Sequence, residues 1–564
     1  MAKYNEKRVS NPEIKPVITH QGGEGYTQKS EKELVGLLAT GLSNTYYEHE
    51  TERETRFKSV INAVASKNAL FAAKALIYAR TVFGQRSVTH YGAVEMIPHL
   101  SGTELAKRFF SKRDRKENFG GIVYRLDDMA EILACYQAKN GVEAPIPNAI
   151  KKGFKEAIEH TDTYTLAKYQ MKSRGVSLVD IVNLVRPIPT KMNGTVTLTE
   201  VEYQKGIQGT KFDPKNPKYK AEYANIPIRT EMGTEIPALH ALVLGLLKQF
   251  NTVEDKNTSA GKTVAAKVKS GAITKEQATV ELNVAKTDNY ADLIKTKKIG
   301  YLALLRNVRN ILKTSDQALL TMACEQLVDE QFIKKSLVFP HQIDLALEVM
   351  LVEFNGRQLT QVATALNLAY ERSIPNLAEL FNEGRTAVVL DVSGSMSTRI
   401  NTGKGVSGYS SALDKGALIA ATLAKGIGAE MFIFASSAQK VNFNPLDSIN
   451  SLKNGLLHGS HCGGGTSWGT IFPILEQSGK FDRVFIISDE QGADQVETSY
   501  KGYCQKHGTP NVFVINICGY APTMIKESTK VHRLYGYTAD IYESAKRVEI
   551  DLEAVIHEIN KIEI

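Results

Sequence analysis

Three short stretches near the carboxyl end carry the side chains a hard divalent cation needs. Asp391-Val392-Ser393-Gly394-Ser395 follows the apolar run TAVVL, Thr466 lies in the glycine-rich stretch Cys462-Gly463-Gly464-Gly465-Thr466-Ser467, and Asp489 closes the run VFIIS. Mg2+ takes octahedral oxygen ligands at about 2.1 Å and usually keeps several waters. Two carboxylates and three hydroxyls supply that chemistry, with Ser393 and Ser395 as direct ligands and Asp391, Thr466 and Asp489 binding directly or through water. These groups carry too little charge to saturate a dication, so an open position for an acidic ligand is expected. A strand-end turn with local Ser and Asp hydrogen bonds would show the same letters. The placement of all three pieces at the ends of predicted strands favours the ion.

Other chemistries are less well supplied. SAGKT at 259–263 lacks the glycine that a phosphate loop would need at Lys256, and no apolar strand precedes it. His461 and Cys462 flank the glycine loop and are explained by loop polarity more simply than as soft-metal ligands. Spacing reveals no Ser/His/Asp triad, nucleophile elbow or paired-carboxylate arrangement, so no catalytic residue is assigned and no enzyme is expected. A nuclease working through the divalent ion would need a general base, which the pattern lacks.

The elements that must position these residues change character along the chain. From Arg385, short runs rich in β-formers (TAVVLDV, AEMFIFAS, RVFIISDE, NVFVINICG) alternate with helical stretches. That alternation predicts a doubly wound α/β domain over about 385–564, whose ligands sit beyond the carboxyl ends of parallel strands. From about Glu31 to Leu178 apolar residues recur every three or four positions, as in FKSVINAVASKNALFAAKALIYARTVF, which predicts amphipathic helices and almost no strand. Residues 187–225 are proline-punctuated and include the strand-like run TVTLTEVEY. Within a polar insert at about 195–295, the Lys/Thr-rich stretch from about 251 to 298 reads as surface helices. Helical periodicity then resumes, so a helical array over about 1–375 is expected, although no fixed repeat period is found.

The chain of 564 residues, 43% apolar and 23% charged, is too long for one core and too ordinary for disorder. No run approaches the ~20 apolar residues of a membrane span, and MAKYNEKRVSNPEIK has no apolar stretch after its charges. Five scattered cysteines without metal spacing fit a reducing compartment. These features predict a soluble, cytoplasmic protein with no membrane partner. The net charge of +8 is unevenly placed: the residues from Thr386 onward hold 16 basic and 18 acidic groups, leaving about +10 on the preceding part. A polyanion partner for that part is one reading; a solvated surface is the other.

Two regions of the basic part mix cations with rings. Lys107-Arg108-Phe109-Phe110-Ser111-Lys112-Arg113-Asp114-Arg115-Lys116 is followed by Arg125, and Lys168-Tyr169-Gln170-Met171-Lys172-Ser173-Arg174 precedes Arg186. Cations for phosphates and rings for unstacked bases suit single-stranded or structured RNA. The whole arrangement resembles the Ro autoantigen family, a TROVE domain followed by a von Willebrand factor A domain. The matching residues are HQGGEGY (Gly22, Gly23, Tyr26), SNTYYE, YARTVFGQRSVTH (Arg80, Arg86, His90), KYQMKSRGVSLVDIVNLVRPIP, LALLRNVRNIL (Arg306, Arg309), FPHQIDLALE and AVVLDVSGSM. The resemblance covers nearly the whole chain except about 195–295 and is strongest toward bacterial Ro-like members.

That resemblance implies a ring of HEAT-like helical repeats closed by the A domain, whose metal-ion-dependent adhesion site would be the constellation above. Single-stranded 3′ ends of misfolded noncoding RNA would enter the ring. Small Y-type RNA would bind its outer surface, and would gate access or tether an exoribonuclease to a monomeric scaffold. Lys168, Lys172 and Arg174 fall where the family's outer-surface contacts lie. Arg186 stands where some members carry histidine, keeping a phosphate-binding group and losing imidazole stacking. Lys112, Arg113, Arg115, Lys116, Arg125, Arg86 and His90 are further RNA candidates, although buried arginines in helical arrays also serve as ion-pair partners. The alternative is a metal-dependent protein-interaction module without an RNA role.

Overall fold

The computed structural model describes residues 14–114, 117–159, 161, 176–185, 264, 266–297, 299–336, 338, 340–373, 381, 383–400, 410–444, 446–458, 462–537, 540–551 and 553–564. The run TVTLTEVEY, the 259–263 stretch and His461 lie outside them. Two compact units form, Met1–Phe57 with Val253–Ile556, and Lys58–Thr252 with His557–Ile564. The change from helical to α/β sequence near residue 385 therefore falls inside the first unit.

The α/β part of that unit is a six-stranded sheet in the order Val531–Tyr535, Asn511–Asn516, Arg483–Ser488, Thr386–Asp391, Glu430–Phe434, Ala438–Val441. All neighbours run parallel except the last pair. The central strands are buried along their whole length, which is why they read as continuous apolar runs. Alternate residues face opposite ways. Val388 and Leu390 join one core with helix Ala412–Ile427, while Ala387 and Val389 join another with Trp468, Phe472 and Leu475. A capping box starts the first of these helices, Ser411 Oγ accepting from the Asp414 N–H at 3.0 Å, and left-handed Gly428 ends it. Gly416 lets that helix press onto the sheet, since a Cβ there would lie 2.8 Å from Leu390.

Helices Tyr301–Lys313, Gln317–Leu327, Pro340–Glu353 and Gly356–Ser373 share an apolar core with Leu418, Ala421, Ile449 and Leu452 of the α/β part. Beside it Lys453 Nζ meets both oxygens of buried Asp344 at 2.8 and 3.0 Å. Part of the polar insert joins this core: helix Lys275–Lys295, capped by Thr274 and Gln277, buries Tyr290 and Ile294. A few buried side chains are enough to seat this helix among the others.

The second unit contains helices Ser87–Glu95, Leu126–Asn140, Asn148–Glu159 and Leu178–Val185. Among its described residues, a hairpin pairs Arg113–Asp114 with Phe119–Gly120, an element the helical periodicity does not foretell. Helix Glu50–Thr81 is apolar and long enough to cross a membrane, but its backbone leaves helical geometry at Asn68 and Phe71, Leu76 and Ile77 are buried within the protein.

Candidate functional site

In the sheet order, the chain's first and fourth strands of this domain, Thr386–Asp391 and Arg483–Ser488, lie side by side, and the connections leaving their carboxyl ends diverge. Such a switch point opens a crevice at the strand ends. Asp391 ends one strand, Asp489 follows the other, and Gly394 N–H donates to Gly464 O at 3.2 Å, drawing in the glycine loop with Thr466. Asp391, Ser393, Ser395, Thr466 and Asp489 are all buried. Asp391 Oδ1 accepts from the Ser393 N–H at 2.9 Å and its Oδ2 from Ser488 Oγ at 2.5 Å. The Ser393 and Ser395 hydroxyls lie 3.2 Å apart. Asp489 Oδ1 accepts from the Gln491 N–H at 3.1 Å, while its Oδ2 is buried with no hydrogen-bond partner.

The electrostatics of this pocket disfavour two bare carboxylates. Burial raises the Asp391 carboxyl to about 6, against the Ser488 and Ser393 hydrogen bonds that lower it. Burial, and then the Asp391 charge, raise Asp489 to about 8. Two carboxyls forced together in a dry site resist double ionisation unless a cation joins them. The orphaned Asp489 oxygen, the paired serine hydroxyls and the all-oxygen donor set fit a hard dication such as Mg2+.

The loop after Asp489 is held by a buried ion pair. Glu490 adopts a left-handed backbone (φ 58°), and its carboxylate meets Arg533 at 2.6 and 2.8 Å. Asn516 Nδ2 and the Met524 N–H add donors at 3.0 and 3.2 Å. Burial opposes the Arg533 charge, and the Glu490 contact outweighs it, raising the guanidinium above its ordinary value. The chain's single tryptophan, Trp468, is fully buried edge-on to Phe434, and a Cβ on Gly492 would lie 2.6 Å from its ring.

An amino-terminal segment lies over the site. The hairpin Pro16–Ile18/Glu24–Tyr26 is stitched to the α/β part by Tyr26 and Thr523, whose backbone groups exchange bonds of 2.8 and 3.0 Å. In its turn, Thr19 Oγ1 donates to Gly492 O at 2.7 Å and the His20 N–H donates to Gln491 Oε1 at 2.9 Å. Gln21 Nε2 donates to Thr466 Oγ1 at 3.0 Å and to the Tyr47 hydroxyl at 2.7 Å. Tyr47 stacks on His20 at 5.1 Å. Side chains from positions 19–47 thus reach loops that carry candidate ligands, which motif spacing within the carboxyl part does not reveal. HQGGEGY and SNTYYE were the available signal, through their resemblance alone.

In the second unit the RNA candidates separate. Arg113 is buried, its guanidinium donating to Gly120 O (2.5 Å), Glu563 O (2.6 Å), Asn118 Oδ1 (2.8 Å) and Asn118 O. It holds a hairpin and the chain end together and offers no face to a phosphate. His90 is also buried, with Nε2 3.0 Å from Asp128 Oδ1. Arg80 joins the same carboxylate at 3.0 and 3.2 Å. Burial would raise the Asp128 carboxyl, but the His90 bond and the Arg80 charge hold it well below the usual carboxylate range. Half-buried Arg86 and Arg125 both reach Asp127, at 2.9 and 3.0 Å. Arg80, Arg86, His90 and Arg125 form an internal ion network with Asp127 and Asp128, and Arg113 is spent on neutral acceptors, so the expectation that Arg113 and His90 meet RNA is corrected. Lys112 is half-buried at a bridge to Val123. Arg115, Lys116, Lys168, Lys172, Arg174 and Arg186 lie outside the described residues.

Exposed cations occur nearby at Lys107, Arg108 and Lys152. Gly153 seats helix Asn148–Glu159 against Phe110, where a Cβ would meet the Phe110 backbone at 2.6 Å, and Lys107 lies 3.7 Å from Glu156. Basic groups from two elements therefore flank one seam.

No protein-family model matches the chain, and no curated protein matches it. Its structure is similar to the crystal structure of the Deinococcus radiodurans Ro (RSR) protein, with 16% sequence identity, 93% of this chain and 100% of that chain covered, and a TM-score of 0.49.

Proposed function

We propose that the chain is a noncatalytic RNA-binding scaffold of the Ro type, a HEAT-like helical ring joined to a von Willebrand A domain that holds Mg2+. In this reading the ring takes single-stranded 3′ ends of misfolded or structured noncoding RNA. A small Y-type RNA binds its outer surface, and an exoribonuclease is recruited to the assembly. The work is RNA quality control or processing in the cytoplasm.

The observation that carries the RNA reading is the placement of charge. About ten excess positive charges precede residue 386, and exposed Lys107 and Arg108 of the first basic-aromatic run share a seam with exposed Lys152. Lysines and arginines on such a surface neutralise phosphates and release counterions, which makes affinity fall with salt. Rings in the same run supply stacking for unpaired bases. In the α/β part, Asp391, Ser393, Ser395, Thr466 and Asp489 would hold the ion. When bound it supplies positive charge to two buried carboxylates; those residues, in turn, fix the three loops around it.

The test is binding of purified, nuclease-treated protein to a duplex RNA with a single-stranded 3′ tail, compared with the blunt duplex, over a salt series. Tail-dependent binding with log affinity falling steeply against log salt supports the reading. Equal binding of both duplexes, without a salt slope, would refute it.

A further inference from the structure

The ion site and the amino-terminal segment are one device. Two of the loops that offer a candidate ligand are touched by residues 19–47: Gln21 reaches Thr466 on the glycine loop, and Thr19 and His20 reach Gly492 and Gln491 just beyond Asp489. Tyr47 is tied to the same place through Gln21. The segment is seated without slack. A Cβ on Gly23 would fall 2.4 Å from Gly492 O and 2.9 Å from the Asp494 nitrogen, and Gly25 is as close to Thr523 O. Gln21 carries two amide protons, and the Tyr47 and Thr466 oxygens take both.

We propose that Gln21 and Tyr47 are positioning residues of the ion site, standing where an outside carboxylate would otherwise approach. The ion then fastens the chain's own amino-terminal segment rather than recruiting an acidic partner. This inference rests on the ion-binding reading. Because strap and ion engage the same two loops, each favours the other's bound arrangement, and the coupling is reciprocal. Both side chains are neutral, so the cover adds no charge to the two carboxylates. It excludes water and orients hydroxyls.

The experiment uses the full chain with Mn2+ as the probe ion and acetate as the probe carboxylate. Binding is followed by electron paramagnetic resonance, exposure of the ion by water-proton relaxation, and the strap by hydrogen exchange of residues 19–26. The wild type should bind Mn2+ with low relaxation enhancement that acetate does not change, and Mn2+ should slow exchange in the strap. Gln21→Ala with Tyr47→Ala should raise the enhancement and make it acetate-sensitive. Gly23→Ala, which leaves every side-chain donor in place, should weaken Mn2+ binding roughly tenfold. Circular dichroism separates these effects from unfolding. Should a variant fail to fold, the wild-type arms alone still decide. Acetate sensitivity in the wild type, or strap exchange indifferent to Mn2+, would overturn the inference while the ion reading stands. Absence of Mn2+ binding in the wild type would remove both.

Discussion

Replacing Arg533 by methionine tests whether the loop after Asp489 is held by charge. The guanidinium makes two bonds to Glu490, at 2.6 and 2.8 Å, and one to Ile525 O at 3.0 Å, and both partners of the ion pair are buried. Methionine fills much of the volume but leaves the Glu490 carboxylate with two neutral donors, Asn516 and the Met524 N–H. Removing one member of a buried pair costs about 3–5 kcal/mol, because the remaining charge stays desolvated. A unit of roughly 360 residues melts with an entropy of about 0.75 kcal/mol/K, so the melting temperature should fall by about 5 °C. Glu490→Gln combined with Arg533→Met removes the stranded charge and should recover at least half of the loss. Differential scanning calorimetry of the three chains reads both numbers. A loss below about 1 kcal/mol for Arg533→Met, or a double variant no better than the single one, would show that the pair is not the brace described.

Further outcomes follow from the same geometry. The raised Asp391 and Asp489 carboxyls hold protons in the ion-free fold that the unfolded chain releases, so ion-free stability should decline as pH rises from about 4 to about 8. Mg2+ binding must expel those protons, so its affinity should rise over the same window; calorimetry in buffers of different ionisation enthalpy should show about one proton released near neutrality, and none would refute the paired-carboxylate account. Arg113→Met should lower the melting temperature of the second unit while leaving RNA affinity at fixed salt unchanged once folded; a selective loss of RNA binding would reinstate it as a contact. Lys152→Glu with Arg108→Glu should weaken tailed-RNA binding and flatten the slope of log affinity on log salt by about 0.7 for each phosphate no longer neutralised. An unaltered slope would move the RNA path elsewhere.

What the sequence reveals and what it conceals divide along physical lines. TAVVLD and RVFIIS are legible as central strands because burial on both faces leaves no polar position to confuse the pattern. Once two such strands end in Asp391 and Asp489, the switch-point rule brings their ends together, and the hydroxyls of Ser393, Ser395 and Thr466 follow. The cover is not legible in the same way. Gln21 and Thr466 are 445 residues apart, and neither amide nor hydroxyl carries a periodicity that would announce the meeting. Arg113 shows a different limit. Within Lys-Arg-Phe-Phe-Ser-Lys-Arg its charge looks like its neighbours', and only the hairpin, with Asn118 left-handed at its turn (φ 53°), converts it into a bolt for backbone carbonyls. Helix Lys275–Lys295 shows the converse, a polar stretch in which a few buried side chains decide the packing.

Trp468 gives the molecule its own optical reporter. It is the chain's single tryptophan, and its indole lies against Gly492, whose carbonyl accepts the Thr19 bond three residues beyond Asp489. A shift of that loop by even a few tenths of an ångström changes the dielectric around the ring, so emission wavelength and quenching by acrylamide should track occupancy of the cation pocket. Cation titrations could thus be followed in the unlabelled protein, with unfolding of the α/β part as the upper reference signal.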